Sequence, residues 1–381
     1  MSFEFATATR IIFGSGTLSQ IGTIARDLGR RALIVTGRDT TRALPLIQLL
    51  EKAGIASISF LVTGEPVLDT VTQGVALARS EQCDLVIGFG GGSAIDAGKA
   101  VAAMITNDGE LLDYLEVIGR GRPLTKPSAP FIAIPTTSGT GAEVTRNAVL
   151  GSPEHRVKVS LRSPLMLPRV ALVDPALTLD LPPAITASTG LDALTQLLEA
   201  HVSIRANPMT DALCEQGIRI AARSLEKTFT TPHDLAARED MALAAMYSGI
   251  ALANAGLGAV HGFAAPIGGM FPAPHGAVCA ALLSHVWKAN LAAVIERGTD
   301  AQRLRFEKAS HLLTGNEDAS AAVTWLQNIR TRLLIPPLRS YGIAEDHLDQ
   351  IISRAQQASS MKANPVVLTD LQLKDILHAA L

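Results

Sequence analysis

The first half of the chain alternates short apolar runs with segments of helical spacing, and few folds accept that order. Arg31–Gly37 (RALIVTG), Ser57–Val62 (SISFLV), Asp84–Ser93 (DLVIGFGGGS), Phe131–Thr137 (FIAIPTT) and Arg169–Asp174 (RVALVD) read as strands. Ala43–Ala53, Thr70–Glu81 and Ala94–Ile105 read as helices between them, with Val71, Val75, Ala76 and Ala78 as the inner face of the second. Apolar strands joined by helices predict a parallel sheet covered on both faces. The pattern changes at DPALTLDLPP (Asp174–Pro183), beyond which nearly every segment has helical spacing. The expected organisation is an α/β domain over residues 1–180 and an all-helical domain over residues 181–381.

Charge narrows the partners. The 381 residues carry 33 Lys+Arg against 35 Asp+Glu, a formal charge of -2, so no basic excess is available for a nucleic-acid backbone. The opening MSFEFATATR lacks the charged-then-apolar order of a signal peptide. Cys83, Cys214 and Cys279 are scattered, odd in number and form no CxxC pair. That spacing argues against a disulfide framework or a thiolate zinc site and fits a reducing cytoplasm. From Met241 to Trp287 there is no Asp, Glu, Lys or Arg. Met241–Val260 is long enough for a membrane helix, but Ser248, Asn254 and three glycines point to a buried helix followed by a loop.

Three stretches carry residue types suited to chemistry. In GFGGGSAIDAGKA (Gly88–Ala100), glycines follow a strand and open a helix, where backbone N–H groups can approach phosphate oxygens. Ser93 can cap that helix or donate to a phosphate. PTTSGTGAEVTRNAVL (Pro135–Leu150) sets four hydroxyls within five residues after another strand. Two such loops at strand C-terminal ends are where open α/β sheets bind ligands. The charge-free block holds His261, His275 and His285; the first two sit in Gly/Pro-rich stretches, which turns them toward metal ligation. A carboxylate partner is needed, and TGLDALTQLLEAHVS (Thr189–Ser203) supplies Asp192, placed near a helix start with Gln196 one turn on. Glu199 and His201 are assigned to other faces of that helix.

GGGSAIDAGKA, IPTTSGTGAEVT, VALVDPALTLDLPP, TGLDALTQLLEAHVS and GLGAVHGFAAPIGGMFPAPHG, in that order, resemble successive signatures of the iron-containing (group III) alcohol dehydrogenases, and ANPVVLTDLQLKDIL (Ala363–Leu377) resembles that family's closing segment. The resemblance runs from about Phe13 to the C-terminus. It implies a Rossmann-like nucleotide-binding domain and a helical metal-binding domain of the dehydroquinate synthase-like architecture, with the site in the cleft between. It implies NAD or NADP as cofactor, Fe2+ or Zn2+ as metal, a small alcohol or aldehyde as substrate, no nucleic-acid or membrane partner, and a homodimer or larger assembly. Carried over by motif, Gly91, Gly92 and Ser93 hold the pyrophosphate, and Thr136, Thr137 and Thr140 line the nicotinamide side. Asp96, Asn147 and Lys158 match polar positions around the cofactor and reacting centre. Asp192, His261 and His275 match three metal-ligand positions.

Three positions depart from the family pattern. Gln196 stands where the family's fourth metal ligand is a histidine; a glycerol dehydrogenase-like branch manages with one Asp and two His, so three ligands still make an open catalytic site. Ala265 replaces a histidine associated with proton movement, which leaves bound water, the cofactor ribose or a hydroxyl as the route. Gly37 follows ALIVT where NAD-preferring relatives carry Asp; with that repulsion gone and Arg38 beside it, NADPH is expected to be tolerated. The rival expectations are a metal-independent maleylacetate reductase-like enzyme, which the Gln196 change keeps open and the retained Asp192 argues against, and a dehydroquinate synthase-like cyclase, which the charge-free block disfavours.

Overall fold

A computed structural model of the protein describes residues 2–381. The chain divides into two compact units. One comprises Ala6–Thr137 and Gly141–Thr178; the other comprises Leu179–Leu381 with Ser138–Thr140 and residues 2–5.

The first unit is built on a six-stranded sheet. Its strands are β1 (Ile11–Phe13), β2 (Arg31–Thr36), β3 (Ala56–Leu61), β4 (Leu85–Gly90), β5 (Phe131–Pro135) and β8 (Val170–Val173), ordered β1-β8-β5-β4-β2-β3. Every pairing in it is parallel, as the sequence pattern predicts. Helices α1 (Ile21–Arg26), α2 (Leu44–Lys52), α3 (Leu68–Ser80), α4 (Gly92–Thr106) and the single turn α5 (Leu111–Tyr114) connect the strands. The period-two geometry of a strand sorts the side chains between two cores. Leu33, Val35, Val86 and Phe131 pack with α3 and α4 residues such as Val71, Val75 and Ile95. Ala32, Ile34, Leu85, Ile87 and Ile132 pack with Ile21, Ile24, Leu46 and Leu50 of α1 and α2.

Several local expectations are corrected. Ala76 is exposed on α3, and Gly74 takes its place on the buried face. β3 is an edge strand with a half-exposed pattern rather than an apolar core strand. Near the N-terminus the short strand β1 pairs in parallel with β8. A hairpin, β6 (Asn147–Ser152) with β7 (Val157–Arg162), was not anticipated. Its inward residues, Ala148, Leu150, Val159 and Leu161, alternate with exposed or half-exposed ones, a period-two signal confined to six-residue strands.

The second unit is helical: α6 (Pro183–Val202), α7 (Pro208–Thr230), α8 (Leu235–Ala255), α9 (Ala259–Met270), α10 (His275–Arg297), α11 (Asp300–Thr314), α12 (Ala319–Arg332), α13 (Leu348–Gln357) and α14 (Asp370–Ala380). One continuous apolar core joins them. From Gly190 to Val202 every residue of α6 is buried, so this helix is the unit's axis. The apolar stretch Met241–Val260 is not one helix. It breaks after Ala255, and α8 and α9 meet at 97°. Helix α10 is long and apolar enough to cross a membrane by composition, but most of its length is packed inside the unit.

Close approach of α10 to α6 depends on Gly276. A Cβ there would lie 2.7 Å from the Ser188 carbonyl oxygen and 3.5 Å from Asp192 Cβ. The nearest atom is helix backbone, which has little room to yield. Gly276→Ala is expected to force α10 off α6 at a cost of about 1–3 kcal/mol, seen as a lower midpoint in urea melts. An unchanged midpoint would show that the helices tolerate the separation.

Candidate active site

Four buried or partly buried side chains from three helices converge in the helical unit. Asp192 projects from the middle of α6, ten residues into the helix, so its expected location at the helix start is wrong. His261 lies in the first turn of α9 and His275 is the first residue of α10; both are helical rather than in loops. Cys279 lies one turn into α10, on the same face as His275. One ligand atom from each of the four lies within 4.8 Å of the others. Asp192 Oδ1 is 3.4 Å from His261 Nε2 and 3.8 Å from His275 Nε2. Cys279 Sγ is 3.8 Å from His261 Nε2 and 3.7 Å from His275 Nε2. The sequence spacing had argued against a thiolate in a metal site, and the structure puts one in the cluster.

The cluster has an oriented second layer. Glu199 accepts a hydrogen bond from His261 Nδ1 (2.7 Å) and another from the backbone N–H of Val260 (2.7 Å). The Nδ1 proton is thus spoken for, which leaves Nε2 as the nitrogen that faces Asp192, His275 and Cys279 and would ligate a metal. Glu199 was assigned to another helix face. Seven residues from Asp192 is two helical turns, so the two carboxylates in fact share a face. Asp192 Oδ1 is buried, yet no donor among the described residues meets it in hydrogen-bond geometry. A buried carboxylate oxygen without a donor is costly unless a cation faces it. Burial alone would raise the Asp192 carboxyl, but the neighbouring His275 and His261 outweigh it and hold the group below its usual range. Burial would likewise raise the Cys279 thiol, and the same two imidazoles bring it down instead.

The remaining imidazoles serve elsewhere. Arg330 donates to His285 Nε2 (2.7 Å), and burial plus that guanidinium push His285 down to about 4. His201 is buried, and desolvation followed by the Arg305 charge brings it down to about 4. Gln196 is buried on α6, and the Ser248 hydroxyl donates to its Oε1 (2.7 Å). Ala265 sits within α9 with no polar function to offer.

In the α/β unit the glycine loops gather around the strand-order reversal. β2 connects outward to β3, while β4 returns to the other side of β2. The loops leaving β2 and β4 flank that point, where open α/β sheets take ligands. A Cβ at Gly90 would be 3.7 Å from the Gly37 N, and one at Gly91 would be 3.4 Å from Thr137. Gly37, Gly91 and Thr137 are therefore neighbours. Thr136 is buried, its N–H donating to the Gly90 carbonyl (2.9 Å). Gly91 is the N-cap of α4 without a side-chain cap, and Gly92 and Ser93 are its first two residues, so Ser93 is not the capping residue. Their amides face outward at a positive helix end. Thr140 falls with the helical unit. A Cβ at Gly37 would meet nothing within 4 Å, and Arg38 is exposed with Nε donating to the Thr63 carbonyl (2.5 Å).

Asp96, Asn147 and Lys158 are held by other partners. Asp96 accepts from the Val149 N–H (3.0 Å) and pairs with Lys99 (3.0 Å). Lys99, which sequence reasoning passed over, is fully buried and also donates to the Ala142 carbonyl, Thr145 Oγ1 and the Asn147 carbonyl. Lys158 pairs with Glu65 (2.6 Å). It sits opposite Gly151 in the hairpin, four residues from Asn147, or about 13 Å along the strand.

Comparison with known proteins decides the family. Residues 8–175 match the model for iron-containing alcohol dehydrogenase, and residues 186–381 match that for the C-terminal part of the Fe-containing alcohol dehydrogenase family. The chain belongs to the iron-containing alcohol dehydrogenase family. It is 37% identical to a 1,3-propanediol dehydrogenase of Klebsiella pneumoniae over 95% of each chain. A crystal structure of 1,3-propanediol oxidoreductase superposes over 100% of both chains with a TM-score of 0.93 at 34% identity. A sulfoacetaldehyde reductase of Bifidobacterium kashiwanohense, solved with NAD+, gives 0.88 at 27% identity over 100% of this chain and 99% of that one. Membership of this family makes the chain a metal-dependent oxidoreductase acting on CH–OH groups with NAD(P).

Within the hydroxyl-rich motif, burial pushes the Glu143 carboxyl up to about 7, well above its ordinary 4.5, with Lys99 too weak to offset it. Between those values the folded protein holds a proton that the unfolded chain releases, so stability falls as pH rises through the window and stays lowered above it. Glu143→Gln should melt higher than the parent at pH 8, with the advantage disappearing below about pH 4.5. Parallel melting curves across pH would refute this if the two proteins stayed equally spaced.

Proposed function

We propose that Asp192, His261 and His275 hold a divalent ion, Fe2+ or Zn2+, and that the enzyme moves hydride reversibly between a small primary alcohol or diol and NAD(P). The unpartnered Asp192 Oδ1, facing two imidazole nitrogens, is the observation that carries this reading. It favours a metal-dependent enzyme over a metal-free keto-acid reductase. When bound, the ion supplies Lewis acidity at the substrate oxygen. Glu199 fixes the His261 tautomer, and Asp192 supplies the negative charge. Gly91, Gly92 and Ser93 at the start of α4 would take the cofactor pyrophosphate, with Thr136, Thr137 and Thr140 toward the nicotinamide. Asp96 and Lys99 hold β6 against α4 and so position that loop rather than meet substrate. With Ala265 offering no imidazole, the alcohol proton leaves through water, a ribose hydroxyl or a side-chain hydroxyl. The charge-free lining of α8, α9 and α10 and the name of the Klebsiella relative favour a short, uncharged substrate.

Two experiments test the reading. Protein purified without chelator should carry about one divalent ion per chain, lose alcohol oxidation on chelation, and regain it with zinc or iron. Full activity in a metal-free preparation would overturn it. Gly37→Asp restores a carboxylate beside the adenosine ribose and should lower the NADPH/NADH ratio of kcat/KM at least about tenfold. An unchanged ratio would remove Gly37 from cofactor choice.

A further inference from the structure

The helix that begins with His275 carries a thiol one turn later, aimed at the same point as the two imidazoles and the Asp192 carboxylate. We propose that the Cys279 thiolate is the fourth protein ligand of the metal, replacing the imidazole missing at position 196, and that it turns the site toward zinc. The proposal rests on the metal-dependent reading above.

The distances carry it. A tetrahedral ion with bonds of about 2.0 Å to nitrogen and oxygen and about 2.3 Å to sulfur has edges of about 3.3 Å between N and O donors and about 3.6 Å between N and S donors. The observed N–O separations are 3.4 and 3.8 Å. The observed N–S separations are 3.8 and 3.7 Å. These four of the six edges of a tetrahedron exceed the ideal ones by 0.5 Å or less, and the remaining two, His261 to His275 and Asp192 to Cys279, lie within 4.8 Å, so an ion would draw the cage inward. Position 196 itself does not compete, because Ser248 hydrogen-bonds the Gln196 carbonyl oxygen. Cys279 is completely buried, and its sulfur lies against the two cluster imidazoles. The thiol gives its proton to solvent on binding. A soft thiolate beside imidazoles selects zinc over ferrous iron, whereas an imidazole at the fourth position suits either. Among the four donors only His275 is partly exposed, a third of its side chain, so a substrate oxygen would approach on its side and add as a fifth ligand.

The test reads the ligand directly. X-ray absorption of the zinc-loaded, full-length wild type should show a sulfur scatterer at about 2.3 Å, and the cobalt-substituted protein a sulfur-to-cobalt charge-transfer band in the near ultraviolet. Cys279→Ser and Cys279→Ala, checked for folding by circular dichroism, should lose the band. Cys279→Ala should weaken zinc at least about 100-fold in competition with a chromophoric chelator, with a smaller loss for ferrous iron. A metal-loaded wild type with only nitrogen and oxygen donors, and zinc affinity unchanged in Cys279→Ala, would overturn the fourth ligand while leaving the three-ligand enzyme intact. A wild type that binds neither zinc nor iron would overturn both. Because the absorption readout is made on the wild type, misfolding of a variant does not shield the proposal.

Discussion

Two carboxylates buried two turns apart on one helix organise the helical unit of this enzyme. Glu199 ties α6 to the first turn of α9 by accepting both the Val260 N–H and the His261 ring N–H. Asp192, on the same face, is left with an unanswered oxygen. In a low-dielectric interior a hydrogen-bonded carboxylate is a strong anchor and an unpaired one is a strong attraction for a cation. The difference between the two roles lies in their partners, since both side chains are almost fully buried.

The charge-free segment from Met241 to Trp287 makes that arrangement effective. It forms most of α8, all of α9 and the first half of α10, the walls around the cluster. With no competing ionised side chain in it, the field at the site comes from Asp192, Glu199, the two imidazoles and Cys279. Glycine at 276 lets α10 lie against α6 closely enough for His275 and Cys279 to reach Asp192. Packing and electrostatics are thus linked through a single missing methyl group.

The α/β unit solves a different problem. Its glycine loops need backbone exposed at the ends of buried strands, and glycine supplies it. The cost of holding those loops falls on Lys99, whose ammonium is buried only because Asp96, two carbonyls and Thr145 surround it. A network of this kind ties α4 to the segment running from Ala142 to Asn147, so the two motifs recognised separately in the sequence are mechanically one.

Sequence alone determined the class of the fold and the family. Apolar strand runs, glycine turns and the change of period near residue 180 are local signals, written in neighbouring residues. The same holds for Asp192, His261 and His275, whose types and motif context named them before their geometry was known. Short period-two signals were too weak to reveal the hairpin, and Ala76 looked like a core residue because alanine is equally at home outside. Only the tertiary structure decided that Glu199 orients His261, that Lys99 braces the hydroxyl-rich loop, and that Cys279 lies beside Asp192, His261 and His275. These facts depend on which helix faces meet, across separations of many residues. That is set by the packing of whole helices, which no local pattern encodes.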